Sequence, residues 1–254
     1  KRPLDSREGM SLPRFFIDDA IVPGTPFSLG GEDARHISRS LRMRVGERLV
    51  VCSGGTEYDC VIQGFTAATV ALMPESSRGA HEPPVRVGMY IAVPKSEKLD
   101  FCVQKCVELG ASEIVPFWAD HCVTRGGSAE TKAERRQKIA AEAAKQCGRG
   151  FVPPVLPVLS FEEALRRGAA ADLLLFCSEK EDASPLSAVL RRTDVQSVGT
   201  VSVFTGPEGG FSQKEFDKAA EIGYNMITLG NRILRCETAP LCVLSALMFA
   251  FGEF

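Results

Sequence analysis

Hydrophobic and polar positions follow one pattern over the first third of the chain and another beyond it. Residues 15–17, 48–52, 58–62 and 69–73 are β-branched or aromatic runs, punctuated by Pro23-Gly24, Gly30-Gly31, Gly54-Gly55 and Gly64. Short apolar runs bounded by glycine turns predict strands. Only residues 32–41 have a helical period. The combination predicts a small β-barrel with one helix laid across it. The stretch PESSRGAHEPP (74–84) has the composition of a linker and places a domain boundary there.

Beyond the boundary, apolar strand runs at 85–93, 113–117, 173–177, 200–205 and 225–229 alternate with helical segments at 99–109, 129–147 and 185–191. A further helix starts with Ser212 and Glu215 in capping-box spacing and stops at Gly223. Alternating strands and helices predict an α/β domain around a largely parallel sheet. Residues 239–251 are apolar on nearly every face, which predicts a helix buried in the core or against another subunit.

Composition narrows the classes. The 254-residue chain has a formal charge of −2, so it has no overall basic coat. Five arginines nevertheless fall within residues 35–48 (Arg35, Arg39, Arg42, Arg44, Arg48), beside His36. They form either an anion or nucleic-acid surface or a solvated helix face. Nine cysteines without a CxxC pair fit a reducing compartment, and Cys102 and Cys106 read as small buried hydrophobes. The three histidines form no ligand spacing, so no metal is expected. No apolar run reaches the roughly 18 residues of a membrane span. Met10 sits ahead of the first structured pattern, which marks the residues before it as an extension.

Two loops carry the candidate chemistry. GPEGGFS (206–212) follows one strand run and LGNRILRCETA (229–239) follows another. Ligands in open α/β sheets bind at the carboxyl ends of parallel strands, so these loops predict a pocket. Gly209 and Gly210 lie just before a helix start, where backbone N–H groups can hold a polar or anionic group; a plain turn is the competing reading. The chain has no GxxxxGK[ST], no GxGxxG after a strand and no GxSxG, which disfavours P-loop hydrolysis, a Rossmann dinucleotide site and a nucleophile elbow.

These two loops together resemble the bacterial 16S ribosomal RNA (uracil-N3) methyltransferases of the SPOUT class. The resemblance extends to PRFF (13–16), LRMRVGE (41–47), PKSEKLD (94–100), QKCVELG (104–110) and EAAKQCGR (142–149). It implies a PUA-like β-barrel for RNA at residues 10–75 and a SPOUT α/β trefoil knot at 85–254. It further implies S-adenosylmethionine as cofactor, 16S rRNA in the small ribosomal subunit as partner, a homodimer and a cytoplasmic location. The chain departs from the family at His121, in HCVTR (121–125), where an arginine is usual nearby, and at Cys236, where Thr or Val is common.

Roles carried over from the family fall on matching positions. Phe176, Cys177, Glu179, Thr205, Gly206, Pro207, Glu208, Gly209, Gly210, Leu229, Gly230, Ile233, Leu234, Arg235, Thr238 and Ala239 are the expected cofactor-binding residues, acting largely through backbone. Arg14, His36, Arg39, Arg42, Lys95, Lys98, Lys105, Gln146 and Arg149 are the expected RNA-binding residues. Uracil N3–H is a weak acid, so Arg232 or Arg235 is expected to stabilise the base anion and Glu208 or Glu237 to accept the proton. The competing readings are an RNA-binding module that has lost transfer and a SPOUT enzyme acting on tRNA or a ribose 2′-hydroxyl.

Overall fold

A computed structural model describes residues 12–95, 98–122, 129–180 and 183–254. Met10 and its upstream extension, positions 96–97 of PKSEKLD and positions 123–125 of HCVTR lie outside the described residues. The chain divides into two compact units. One is the segment up to His81 together with Lys145–Val152; the other is Glu82–Ala144 with Pro153–Phe254.

The first unit holds β1 (Arg14–Phe16), β2 (Phe27–Gly30), α1 (Gly31–Arg35, continued as a π-turned segment His36–Ser40), β3 (Arg48–Ser53), β4 (Thr56–Phe65) and β5 (Thr69–Gly79). The sheet order is β1-β3-β4-β5-β2, with β1 parallel to β3 and the other pairs antiparallel. Both edge strands feed one core, Phe15 from β1 and Leu29 from β2, packed with Ile37, Leu49, Ile62 and Leu72. Strand β2 is absent from the sequence expectation, because Gly30-Gly31 reads as a turn whereas Gly30 ends the strand.

The linker expected at 74–84 is corrected over its first half. Strand β5 continues through Pro74 to Gly79, and the ladder shifts register between Asp59 and Cys60, where Pro74 is the partner of Cys60. A bulge is where a strand tolerates a proline that has no N–H to donate. The extension is fixed by charge as well. Glu57, whose side chain is only 4% exposed, accepts from Arg14 at 2.7 Å and from Arg78 at 2.7 Å. A carboxylate buried this deeply persists only when paired. Arg14 also donates to the Arg149 carbonyl, which ties the 145–152 segment into this unit.

The second unit is built on seven parallel strands in the order β10-β12-β9-β11-β6-β7-β8. They are β6 (Arg86–Ala92), β7 (Glu113–Trp118), β8 (Leu159–Ser160), β9 (Leu173–Cys177), β10 (Ser184–Pro185), β11 (Thr200–Thr205) and β12 (Asn225–Thr228). Its helices are α2 (Lys98–Glu108), α3 (Ala129–Cys147, which ends inside the first unit's segment), α4 (Phe161–Gly168), α5 (Leu186–Arg192), α6 (Gln213–Ile222) and α7 (Thr238–Ala250). Central strands β9, β11 and β6 are apolar runs buried along most of their length, as parallel strands covered on both faces are. Cys102 and Cys106 of α2 are fully buried, as their reading as small hydrophobes predicts.

Beneath the sheet's carboxyl edge lies an aromatic cluster. Tyr90 stacks on Phe204 at 4.5 Å between centroids, and Phe204 meets Phe117, Phe176 and Tyr224 at 5.2, 5.7 and 5.2 Å. Each fully buried ring of this kind contributes about 1.5–3 kcal/mol, and the cluster gives the overlying loops a rigid floor. Helix α6 starts and stops where its signals place it: Ser212 and Glu215 form a reciprocal capping box, and Gly223 closes it at φ 101°. Helix α4 was not expected, although Ser160 and Glu163 form the same reciprocal box.

Candidate active site

The loops after β9, β11 and β12 leave neighbouring strands on the same edge of the sheet, because all three strands are parallel and adjacent. They enclose a pocket of about 980 Å³. Of the expected cofactor residues, Cys177, Glu179, Gly206, Pro207, Glu208, Gly209, Gly210, Leu229, Gly230, Ile233, Leu234, Arg235 and Ala239 line it, and so does Arg232. Phe176 and Thr205 are fully buried, with their side chains in the floor. Thr238 is exposed at the start of α7, and its N–H donates to the Arg235 carbonyl at 2.8 Å, which folds the loop back into the helix.

Phe211, Asn231 and Cys236, from the two motif loops, and Ser178, between Cys177 and Glu179, line it as well, while Lys98, Lys180, Ala183, Phe216 and Thr228 join the lining from outside the expected loops. Phe211 packs 4.2 Å from Phe176 and so links the pocket wall to the aromatic floor. Lys180 lies 4.0 Å over the Phe216 ring, a cation–π placement at the wall. Lys180 and Thr228 adjoin expected residues in sequence, whereas Ala183, Phe216 and Lys98, the last expected as an RNA contact, reach the pocket only through the fold.

The GPEGGFS loop is held from outside the pocket by the exit of β7. Ser212 donates to Asp120 at 2.6 Å, and the Asp120 N–H donates to Glu215 at 3.0 Å. His121 Nδ1 lies 3.0 Å from the Gly209 carbonyl and 3.2 Å from that of Gly210. Two carbonyl acceptors require the proton on Nδ1. The departure at His121 therefore has a local use as a clasp on the glycine loop. Of the two glycines read as a site for a polar or anionic group, Gly210 has its N–H bound to the Pro207 carbonyl at 3.0 Å, and beyond it the Ser212 N–H is bound to Glu215 at 2.8 Å.

Charge in the pocket is organised around Lys98. Its Nζ lies 3.2 Å from Glu208 and 3.1 Å from Glu237, and it donates to Cys236 Sγ at 3.7 Å. Burial pushes the Glu208 carboxyl up, but its own backbone N–H, Lys98 and the Lys95 N–H outweigh that and leave it below the usual range. The Glu237 carboxyl is drawn down to about 2, first by its own backbone N–H, then by the Cys236 thiol and Lys98. Hydrogen bonds to Glu237 and Glu208 hold Lys98 firmly protonated. Burial, reinforced by Glu237, pushes the Cys236 thiol up to about 12, so it stays protonated and donates to Glu237 at 3.1 Å. Both candidate proton acceptors are thus weak bases.

The expected RNA residues fall in three settings. His36, Arg39, Arg42 and Gln146 are exposed. Arg14 is turned inward to Glu57, and Arg149 is buried with its guanidinium 4.9 Å over Phe151. Lys105 pairs with Glu108 at 2.8 Å, Lys95 is exposed with its N–H bound to Glu208, and Lys98 belongs to the pocket. Among the described residues no cluster of His, Cys, Asp or Glu is placed to hold a metal, and no helix is long and apolar enough to cross a membrane.

Comparison with known proteins gives this pocket its setting. Residues 81–248 match the family model of the RNA methyltransferase domain, and residues 29–71 match that of the RNA methyltransferase PUA domain. Ribosomal RNA small subunit methyltransferase E of Bacillus subtilis is 34% identical over 249 residues, covering 94% of this chain and 96% of that protein. The protein of the same name from Synechocystis is 30% identical, covering 83% of this chain and 68% of its own length. The crystal structure of Ribosomal RNA small subunit methyltransferase E from Neisseria gonorrhoeae, bound to S-adenosyl methionine, superposes with a TM-score of 0.84 at 31% identity, over 96% of this chain and 99% of that one. With a pocket framed by the two loops that its motifs mark and the loop after β9, and this similarity over nearly its whole length, the chain belongs to the ribosomal RNA small subunit methyltransferase E family of RNA methyltransferases.

Proposed function

We propose that this protein transfers a methyl group from S-adenosylmethionine to N3 of a uridine in 16S rRNA of the small ribosomal subunit. The carrying observation is the pocket built from the loops after β9, β11 and β12. At about 980 Å³ it suits a ligand of cofactor size. Leu229, Ile233 and Leu234 supply apolar wall for an adenine, and the glycines of both loops leave backbone groups within reach. When bound, S-adenosylmethionine supplies a methyl group already activated by the sulfonium charge.

The chain's own task is to favour the uracil anion and aim its N3. Arg232 and Arg235 both line the pocket and are placed to stabilise charge spread over O2 and O4. The held-down carboxylates of Glu208 and Glu237 make poor proton acceptors, which moves the weight of the chemistry onto positive charge and positioning. The barrel unit presents His36, Arg39 and Arg42 as an RNA surface. The reading includes a knotted C-terminal domain, action in the cytoplasm and a homodimer. Cys242 and Phe249, exposed on the otherwise apolar α7, favour a second copy as the cover.

The test is methyl transfer from labelled S-adenosylmethionine to purified small subunits lacking the modification, with nucleoside analysis of the product. Labelled 3-methyluridine is the expected product. A methyl on another atom, or cofactor binding without transfer to subunits or free rRNA, would overturn the reading.

A further inference from the structure

The geometry points to Lys98 as the positioning residue of the transfer site: its ammonium joins Glu208 and Glu237, carried by two separate loops, into one charge-compensated frame beside the base-binding region. This rests on the methyl-transfer reading above.

Three observations carry it. First, the three hydrogens of the ammonium meet three acceptors, Glu208 at 3.2 Å, Glu237 at 3.1 Å and Cys236 Sγ at 3.7 Å. The side chain is therefore fully employed where it is. Second, Lys98 lies in the first described turn of α2, where the helix dipole does not favour a cation. Its ion pairs, rather than the helix, account for a lysine there. Third, its partners come from the loop after β11 and from the start of α7, and both Lys98 and Glu208 line the pocket.

The electrostatic consequence follows from the reaction. Deprotonating uracil N3 places negative charge in the pocket, and two uncompensated carboxylates nearby would oppose it. Lys98 cancels one of the two charges and fixes the direction of both. The groups facing Glu237 are Lys98 and Cys102 from α2, Cys236 from its own loop, and Glu208 through their shared lysine. Removing Lys98 frees two like charges to repel and lets the loops part.

The experiment compares the full-length protein with Lys98→Met and Lys98→Arg. S-adenosylmethionine affinity is measured by calorimetry, kcat and KM with small subunits, and the carboxyl titration of Glu237 by carbon-detected NMR. In Lys98→Met kcat is expected to fall roughly 10- to 100-fold, a larger factor than the accompanying rise in cofactor Kd. Lys98→Arg recovers part of that loss, and Lys98→Met combined with Glu237→Gln recovers part by removing one uncompensated charge. The Glu237 midpoint moves up in Lys98→Met by the share of its depression that Lys98 supplies, while its own backbone N–H and the Cys236 thiol continue to hold it below the usual range. An unchanged kcat, a loss confined to KM, or a Glu237 midpoint that does not move would overturn the inference. If the wild type itself transfers no methyl group, the methyl-transfer reading fails, and the NMR titration alone decides whether the frame exists.

Discussion

His121 and Gly209 are in such close approach that a β-carbon built on the glycine would lie 2.9 Å from the histidine Cβ, while His121 Nδ1 bonds the Gly209 carbonyl at 3.0 Å. The approach involves the stem of the histidine rather than its flexible end, so one side must move. We expect Gly209→Ala to push the loop into the pocket and weaken S-adenosylmethionine binding about tenfold or more, with little change in Tm. Calorimetric titration and thermal unfolding of the same variant check it. A matching loss of Tm would mean that the strain is spread through the fold.

The second close approach lies in the core. At Gly168, the end of α4, an added β-carbon would run into the Tyr224 hydroxyl and come 3.0 Å from the Phe204 ring. Tyr224 donates to the Leu165 carbonyl at 3.3 Å and cannot withdraw without giving up that bond. Overpacking of this kind costs about 1–3 kcal/mol. Denaturant unfolding of Gly168→Ala should show that loss, and a variant as stable as wild type would mean that the cluster is looser than its ring distances imply.

In the first unit Glu57 is the test case. Replacing it with glutamine leaves Arg14, 12% exposed, without its countercharge. Breaking a buried pair from one side costs about 3–5 kcal/mol. Unfolding followed by a probe in the first unit should report a drop of that order for Glu57→Gln and a smaller one for Asp59→Asn. Asp59 holds the 46%-exposed Arg78 from a more open position, with its own side chain 23% exposed.

The hydrogen bonds that Glu237 accepts, from its own backbone N–H, the Cys236 thiol and Lys98, set a pH dependence. Its carboxyl is depressed in the folded protein from 4.5 to about 2, so the unfolded chain takes up a proton first as acid is added. The stabilisation is complete above pH 4.5 and disappears as pH falls toward 2. The difference in unfolding free energy between wild type and Glu237→Gln should therefore shrink steadily over that range. A difference independent of pH would show that the carboxylate does not contribute through charge.

Much of the second unit was legible because its signals are local. Ser212, Glu215 and Gly223 specify where α6 starts and stops, and the β-branched run of β11 points to the loop that follows it. Helix α4 carries an equivalent box at Ser160 and Glu163 but follows a strand of only two residues, too short to show a period. The pocket loops were legible for the same local reason. What escaped was direction and long-range pairing. Arg14 and Arg149 announce positive charge, yet nothing near them in sequence shows that one turns toward Glu57, 43 positions away, and that the other stacks inward. Lys98 likewise finds Glu208 across 110 positions, a meeting that only the parallel sheet arranges.

The segment Lys145–Val152 returns to the first unit after more than sixty residues spent in the second. The first unit is consequently not a cassette that a gene could lose, duplicate or lend as one uninterrupted stretch. A fragment ending at His81 would lack the Arg149 carbonyl that receives Arg14 and the Lys145 ammonium that lies over Phe15. The first unit can therefore be inherited only together with the stretch of chain that carries Lys145–Val152, which makes the two units one heritable piece.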